Sequence, residues 1–217
     1  MTAPLAGLML DVQRRLEGLY ALEPNSPVSE FLIPEGEAAK YPGDGSRTLL
    51  QQDGDSVSLG LVLEPSVSDA LVRRDPRARL DRENLGPFCT LAEEISHFLY
   101  LLYCVRAARS VTELELELQG ELDKYLSSLL LLSLQNEGAV SSRLRKLLFR
   151  DYRLHDGMAP ERAERYRAAN ELAWRYSGHL EARYLRGGRS FSDLVREARR
   201  FYRLGQREKL EAIAVVH

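Results

Sequence analysis

The chain has 217 residues, 44% hydrophobic and 29% charged, enough apolar side chain for a buried core and about the size of one domain. Thirty Lys and Arg against 32 Asp and Glu leave a net charge of −2, which excludes a uniformly basic nucleic-acid coat and an acidic disordered tail. Cys89 and Cys104 are the only cysteines. On one helix they would stand roughly 22 Å apart, so no disulfide framework is expected and a reducing cytoplasm is the expected location.

Leu5, Leu8, Met9, Val12, Leu16 and Leu19 recur at steps of three and four, which predicts an amphipathic helix. Asp11, Arg14, Arg15 and Glu17 interrupt the run, so it does not read as a signal peptide. Turn chemistry at Glu23-Pro24-Asn25-Ser26-Pro27 closes it. Residues 35–47, with Pro42-Gly43-Asp44-Gly45-Ser46 among them, form the best loop candidate. Next comes a hairpin: residues 48–52 and 56–63 flank Asp53-Gly54-Asp55, and Phe31-Leu32-Ile33 could add a third strand.

From Pro65 onward the pattern is almost continuous helix. A short helix spans 66–74, and a polar connector spans 77–87. A long helix is expected from about Leu91 to Ala108, opened by a Thr90-x-x-Glu93 capping box, with Leu91, Ile95, Phe98, Leu99, Leu102 and Val105 as its buried stripe. Ser110-x-x-Glu113 reads as the capping box of a helix to about Gln135. The tight junction at Arg109-Ser110 predicts an antiparallel αα-hairpin. Its apolar run at 125–134 is far shorter than the roughly 20 residues of a bilayer span, so no membrane partner is expected.

Residues 141–149 form another short helix. Pro160 opens a long helix with Tyr166, Ala169, Ala173, Tyr176, Leu180 and Tyr184 as its stripe, and Gly187-Gly188 stops it. Ser190-x-x-Asp193 caps the next helix, whose core face is Leu194, Ala198, Phe201 and Tyr202. Gly205 breaks it, and a last helix carries Leu210, Ile213 and Ala214. The expected fold is α+β and predominantly α-helical: one domain over 1–217, with an N-terminal helix and β-hairpin in 1–64 and a helical body in 65–217.

Phosphate-loop, dinucleotide, zinc-protease, serine-hydrolase and Cys-x-x-Cys signatures are all missing from the sequence. Two constellations remain. The first is Glu94-x-x-His97, one helical face as carboxylate metal bundles use it, with Glu121 from the partner helix as a third ligand for a divalent transition metal. Glu117, Glu171 and His179 stand at spacings that could bring them to the same centre. The bland account assigns Glu93 to capping, Glu94 to the helix dipole, and Glu117, Glu121 and Lys124 to a solvated ion-paired face. It makes His97 a structural histidine and leaves the protein without a cofactor.

The second constellation is electrostatic. Residues 1–140 carry 12 basic and 22 acidic groups, while 141–217 carry 18 basic and 10 acidic. Arg196, Arg200, Arg203 and Arg207 form one stripe if helix persists past Gly205. Interleaved Tyr and Trp residues could stack on bases. The leading expectation is therefore a non-catalytic interaction or regulatory protein, whose basic C-terminal helices engage an anionic protein surface or a second subunit. A metal-dependent enzyme and an RNA-binding accessory protein are the alternatives. Cys89 near a helix start and the loop residue His155 are the residues offered for nucleophilic chemistry.

Overall fold

Pro4 stands in the first turn of α1 (Ala3–Tyr20), where its missing N–H costs no hydrogen bond. The six apolar residues of the α1 stripe are all buried in this computed structural model, which describes residues 2–54, 56–139, 143–151, 159–186 and 190–216. Buried Gln13 pins the chain that leaves α1. Its amide donates to the Ser26 carbonyl at 3.1 Å, and its oxygen accepts from the Val28 N–H at 2.8 Å.

A 3-10 turn (Val28–Phe31) and a one-turn helix α2 (Glu35–Ala38) lead to the hairpin. The loop expected at 35–47 is tied together by one guanidinium. Arg47 donates to the carbonyls of Ala38, Tyr41, Pro42 and Gly45 at 2.7–3.2 Å. Strands β1 (Arg47–Asp53) and β2 (Ser56–Val62) pair antiparallel, from Arg47 opposite Val62 to Asp53 opposite Ser56. Gly54 supplies the positive φ of the turn, +58°. The third strand expected at Phe31-Leu32-Ile33 shrinks to a single parallel bridge between Leu32 and Leu61. Pro34 follows at once with no N–H to extend the ladder.

Helix α3 (Pro65–Arg73) leads to the two central helices, α4 (Leu85–Arg106) and α5 (Glu113–Gln135). They pack as the expected antiparallel hairpin, because residues rising along α4 meet residues descending α5. Cys89 faces Ser128, Ser96 bonds Asp123, and Tyr100 bonds Glu115. Two boundaries differ from expectation. Helix α4 begins six residues before Leu91, with Pro87 tolerated in its first turn, so Thr90 and Glu93 are interior positions and not a capping box. Helix α5 is capped by Thr112, which accepts from the Glu115 N–H, and not by Ser110. Val105, placed in the buried stripe, is 43% exposed near the end of α4. By length and composition α4 could cross a membrane, yet 72% of its apolar window is buried inside the bundle.

Helices α6 (Leu144–Phe149), α7 (Pro160–Leu180), α8 (Phe191–Arg203) and α9 (Gln206–Val215) complete the body, with one π-helical turn at Glu181–Leu185 after α7. Ser190 and Asp193 form the anticipated capping box. Gly205 does separate α8 from α9, but the buried face of α9 is Lys209 and Ile213, while Leu210 is half-buried and Ala214 exposed. Ser141, His155, Gly187 and Gly188 lie outside the described residues. One hydrophobic cluster joins α1, the hairpin and the helical body, from Leu5 to Ile213. Each fully buried Leu or Phe in it stabilises the fold by about 1.5–3 kcal/mol relative to exposure.

Candidate metal centre

The seam between α4 and α5 holds six ionisable groups largely out of water. Glu93, Glu94 and His97 come from α4; Glu117, Glu121 and Lys124 come from α5. Steps of three and four put each set on one helical face. Opposite His97 stands Gly120. A Cβ at that position would lie 2.6 Å from His97 Nε2, so glycine alone lets the imidazole rest against α5. His97 Nε2 is 3.7 Å from Glu117 Oε2, and Nδ1 is 3.9 Å from Glu94 Oε2. Lys124 Nζ lies 3.1 Å from Glu93 Oε2 and 2.8 Å from Glu121 Oε1. The hairpin anchors the site from one side: the Thr48 hydroxyl donates to Glu94 Oε2 at 2.9 Å. Helix α7 contributes Arg162, Arg165 and Tyr166, whose charges and hydroxyl act on Glu117 and Glu93.

Two atoms in this cluster lack a close hydrogen bond, His97 Nε2 and Glu117 Oε2, although the Leu116 backbone acts on the imidazole and the Tyr166 hydroxyl on the Glu117 carboxylate. The His97 side chain is more than nine-tenths buried, and that of Glu117 is 11% exposed. An orphaned buried polar atom costs about 1–3 kcal/mol, more if charged, and asks for an explanation. One donor atom each from Glu93, His97 and Glu117 lies within 4.8 Å of the other two. Donors bound to one tetrahedral ion are roughly 3.4 Å apart, so small side-chain adjustments would close the set on a cation.

The electrostatics suit that role. Burial pushes the His97 imidazole down to about 4, against the pull of Glu93, which keeps it neutral with a lone pair to offer. Burial, reinforced by Glu93, raises the carboxyls of Glu94 and Glu117 to about 8. Glu93 itself is held low despite its burial, because the Lys124 ammonium stabilises its anion. Carboxyls that hold protons without a countercharge release them to an arriving cation.

Of the expected ligands Glu94, His97 and Glu121, the structure makes His97 the centre and sets Glu94 beside its Nδ1. Glu121 is tied to Lys124. Glu93 and Glu117, not the pair Glu94 and Glu121, place a donor atom within 4.8 Å of one on His97 and of each other. Glu93 escapes capping because α4 starts early, and the supposedly solvated face of Glu117 is covered by α7. The third arm differs too. Glu171 pairs with Arg150 and Arg175 at the surface, and His179 packs near Tyr176 and Tyr184. The signal that could have found the centre is Gly120: a glycine inside a leucine-rich helix costs about 1 kcal/mol against alanine and needs a reason. Cys89 sits inside α4, and burial pushes its thiol up to about 11, opposite to the helix-start expectation.

The basic stripe is divided at Gly205. Arg196 pairs with Asp193 at 2.8 Å and Arg200 with Glu197 at 2.7 Å. Arg203 donates to the Tyr20 carbonyl at the end of α1, at 3.0 Å, beside Arg199, which donates to the Leu19 carbonyl at 2.8 Å. Arg207 stands on α9 with Glu211 at 3.9 Å. The aromatics proposed for stacking on bases are mostly core: Tyr176, Tyr184, Phe201 and Tyr202 are buried, and Trp174 is covered by Arg145 and Arg150. No family model matches this chain, and neither a curated protein nor a solved structure matches it.

Proposed function

We propose that the protein is a metal-dependent enzyme that binds a divalent transition-metal ion between Glu93, His97 and Glu117. The observation that carries this reading is the buried pair His97 Nε2 and Glu117 Oε2, which face each other at 3.7 Å with no close hydrogen bond at either atom, the imidazole seated against α5 where Gly120 has no side chain. One imidazole and two carboxylates suit zinc, iron or manganese, and three protein donors leave coordination positions for water or substrate, as catalytic sites do. Such an ion polarises a bound oxygen and lowers the pKa of bound water.

The test is metal analysis of the full chain after purification and after incubation with Zn(II), Mn(II) or Fe(II). Near-stoichiometric metal is expected in the wild type. His97→Ala should lose it, and Gly120→Ala should weaken it by roughly 10–100-fold by displacing the imidazole. A folded wild type that takes up none of the three ions ends this reading.

A second reading keeps the basic C-terminal helices as a docking face for an acidic protein surface. Its support is Arg196 and Arg207, whose side chains are 77% and 86% exposed. Unchanged partner capture by an Arg196→Glu/Arg207→Glu double variant would remove that face from consideration.

A further inference from the structure

We propose that Lys124 permanently fills a second cation position in this cluster, so that the site takes one divalent ion per chain with Glu93 shared between that ion and the ammonium. The inference deepens the metal reading above and rests on it. Four carboxylates, Glu93, Glu94, Glu117 and Glu121, converge on the α4–α5 seam, more than one ion with an imidazole ligand requires. They divide around two centres. His97 Nε2, buried and without a close hydrogen bond, marks the open centre together with Glu117 and Glu93. Lys124 Nζ marks the filled one, within 3.1 Å of Glu93 and 2.8 Å of Glu121.

Glu93 belongs to both sets, the position a bridging carboxylate would occupy between two cations. Lys124 brings its charge on a stem anchored in α5, so this countercharge is present whether or not metal is bound. Cys89, one turn before Glu93 on α4, faces the Ser128 hydroxyl at 3.7 Å and lies within electrostatic reach of the ammonium. Without the ammonium, Glu93 and Glu121 would be two carboxylates facing an empty position.

Metal-stripped full chain is titrated with Co(II) and bound cobalt is counted per folded chain. The wild type is expected to bind one equivalent, Lys124→Arg one, and Lys124→Met two. Two equivalents in the wild type, or one in a folded Lys124→Met, overturns the role of Lys124 while leaving the metal reading standing. Zero in the wild type removes the metal reading itself and this inference with it. Should Lys124→Met not fold, the wild type saturated with Mn(II) decides the matter by electron paramagnetic resonance. After unbound Mn(II) is removed, an uncoupled signal with one manganese per chain supports a single ion, and an exchange-coupled signal with two overturns it.

Discussion

Two buried polar clusters share the α4–α5 seam, built on adjacent residues, and they are finished differently. In one, Asp123 accepts from Tyr20 and from Gln119 (3.1 Å) on one oxygen and from Ser96 (2.5 Å) on the other. Lys209 donates to the Gln119 carbonyl at 2.7 Å and lies over the rings of Tyr100 and Phe201. Every oxygen of Asp123 and both ends of Gln119 are matched, although the hydroxyl of Tyr202, stacked on Tyr20, has no partner, and the network ties α1 and α9 to the central hairpin. In the other, beginning one residue along at His97, two buried atoms are left facing each other without a close hydrogen bond. A fully satisfied network rigidifies a core, whereas a buried polar atom left without a partner asks for an explanation. The contrast separates a cluster that ties elements of the fold together from the one proposed as a site.

The comparison is broken most directly at Asp123. Asp123→Ala orphans the buried hydroxyl donors of Tyr20 and Ser96, while the Gln119 amide keeps the Tyr20 oxygen, and removing one partner of a buried charged network costs about 3–5 kcal/mol. Denaturant unfolding should show that loss, while metal uptake by the folded fraction stays at the wild-type level. A variant that loses metal but keeps its stability would reverse the assignment of the two clusters.

Lys209 sharpens the contrast through pH. Burial lowers its folded pKa to about 7, below the ordinary lysine value of 10.5. Between these values the unfolded chain binds a proton that the folded chain gives up, so stability contributed at this site rises with pH. Relative to Lys209→Met, the wild type should therefore gain stability from about pH 7 to pH 10.5, by a few kcal/mol at most. Parallel stability curves for the two proteins would show that the ammonium is not penalised there.

The smallest expected effect lies at the joint between the two halves of the charge distribution. Arg203→Ala removes a donor from the Tyr20 carbonyl at the end of α1 and should cost about 0.5–1.5 kcal/mol. The α1 amides are expected to exchange faster than those of α5, and equal exchange would place the anchor elsewhere.

The acidic and basic parts of the chain thus meet mainly through other means than surface ion pairs. Arg199 and Arg203 cap backbone carbonyls of α1, where cations suit the helix dipole, and Arg162 faces the buried carboxylates from α7. Among the described residues, Arg165 with Glu113, at 2.5 Å, is the ion pair that spans the two halves.

Elements with strong local signals were legible in the amino-acid order. The α1 stripe, the Asp-Gly hairpin, the Ser190–Asp193 box and the break at Gly205 depend on contacts within a few residues, and period and turn chemistry suffice for them. His97 and its helical neighbour Glu94 were equally visible as a pair. What the order of residues could not decide was which carboxylates meet His97. That choice was made by the early start of α4, which frees Glu93, by α7 lying over Glu117, and by Gly120 admitting the imidazole against α5. Each is a contact between segments distant in sequence, set by how apolar faces pack and not by local propensity. The sequence alone determined that this is a predominantly helical α+β protein with a hairpin near its start. Tertiary packing decided where buried charge is satisfied and where it is left open, because desolvation is imposed only when helices close over it.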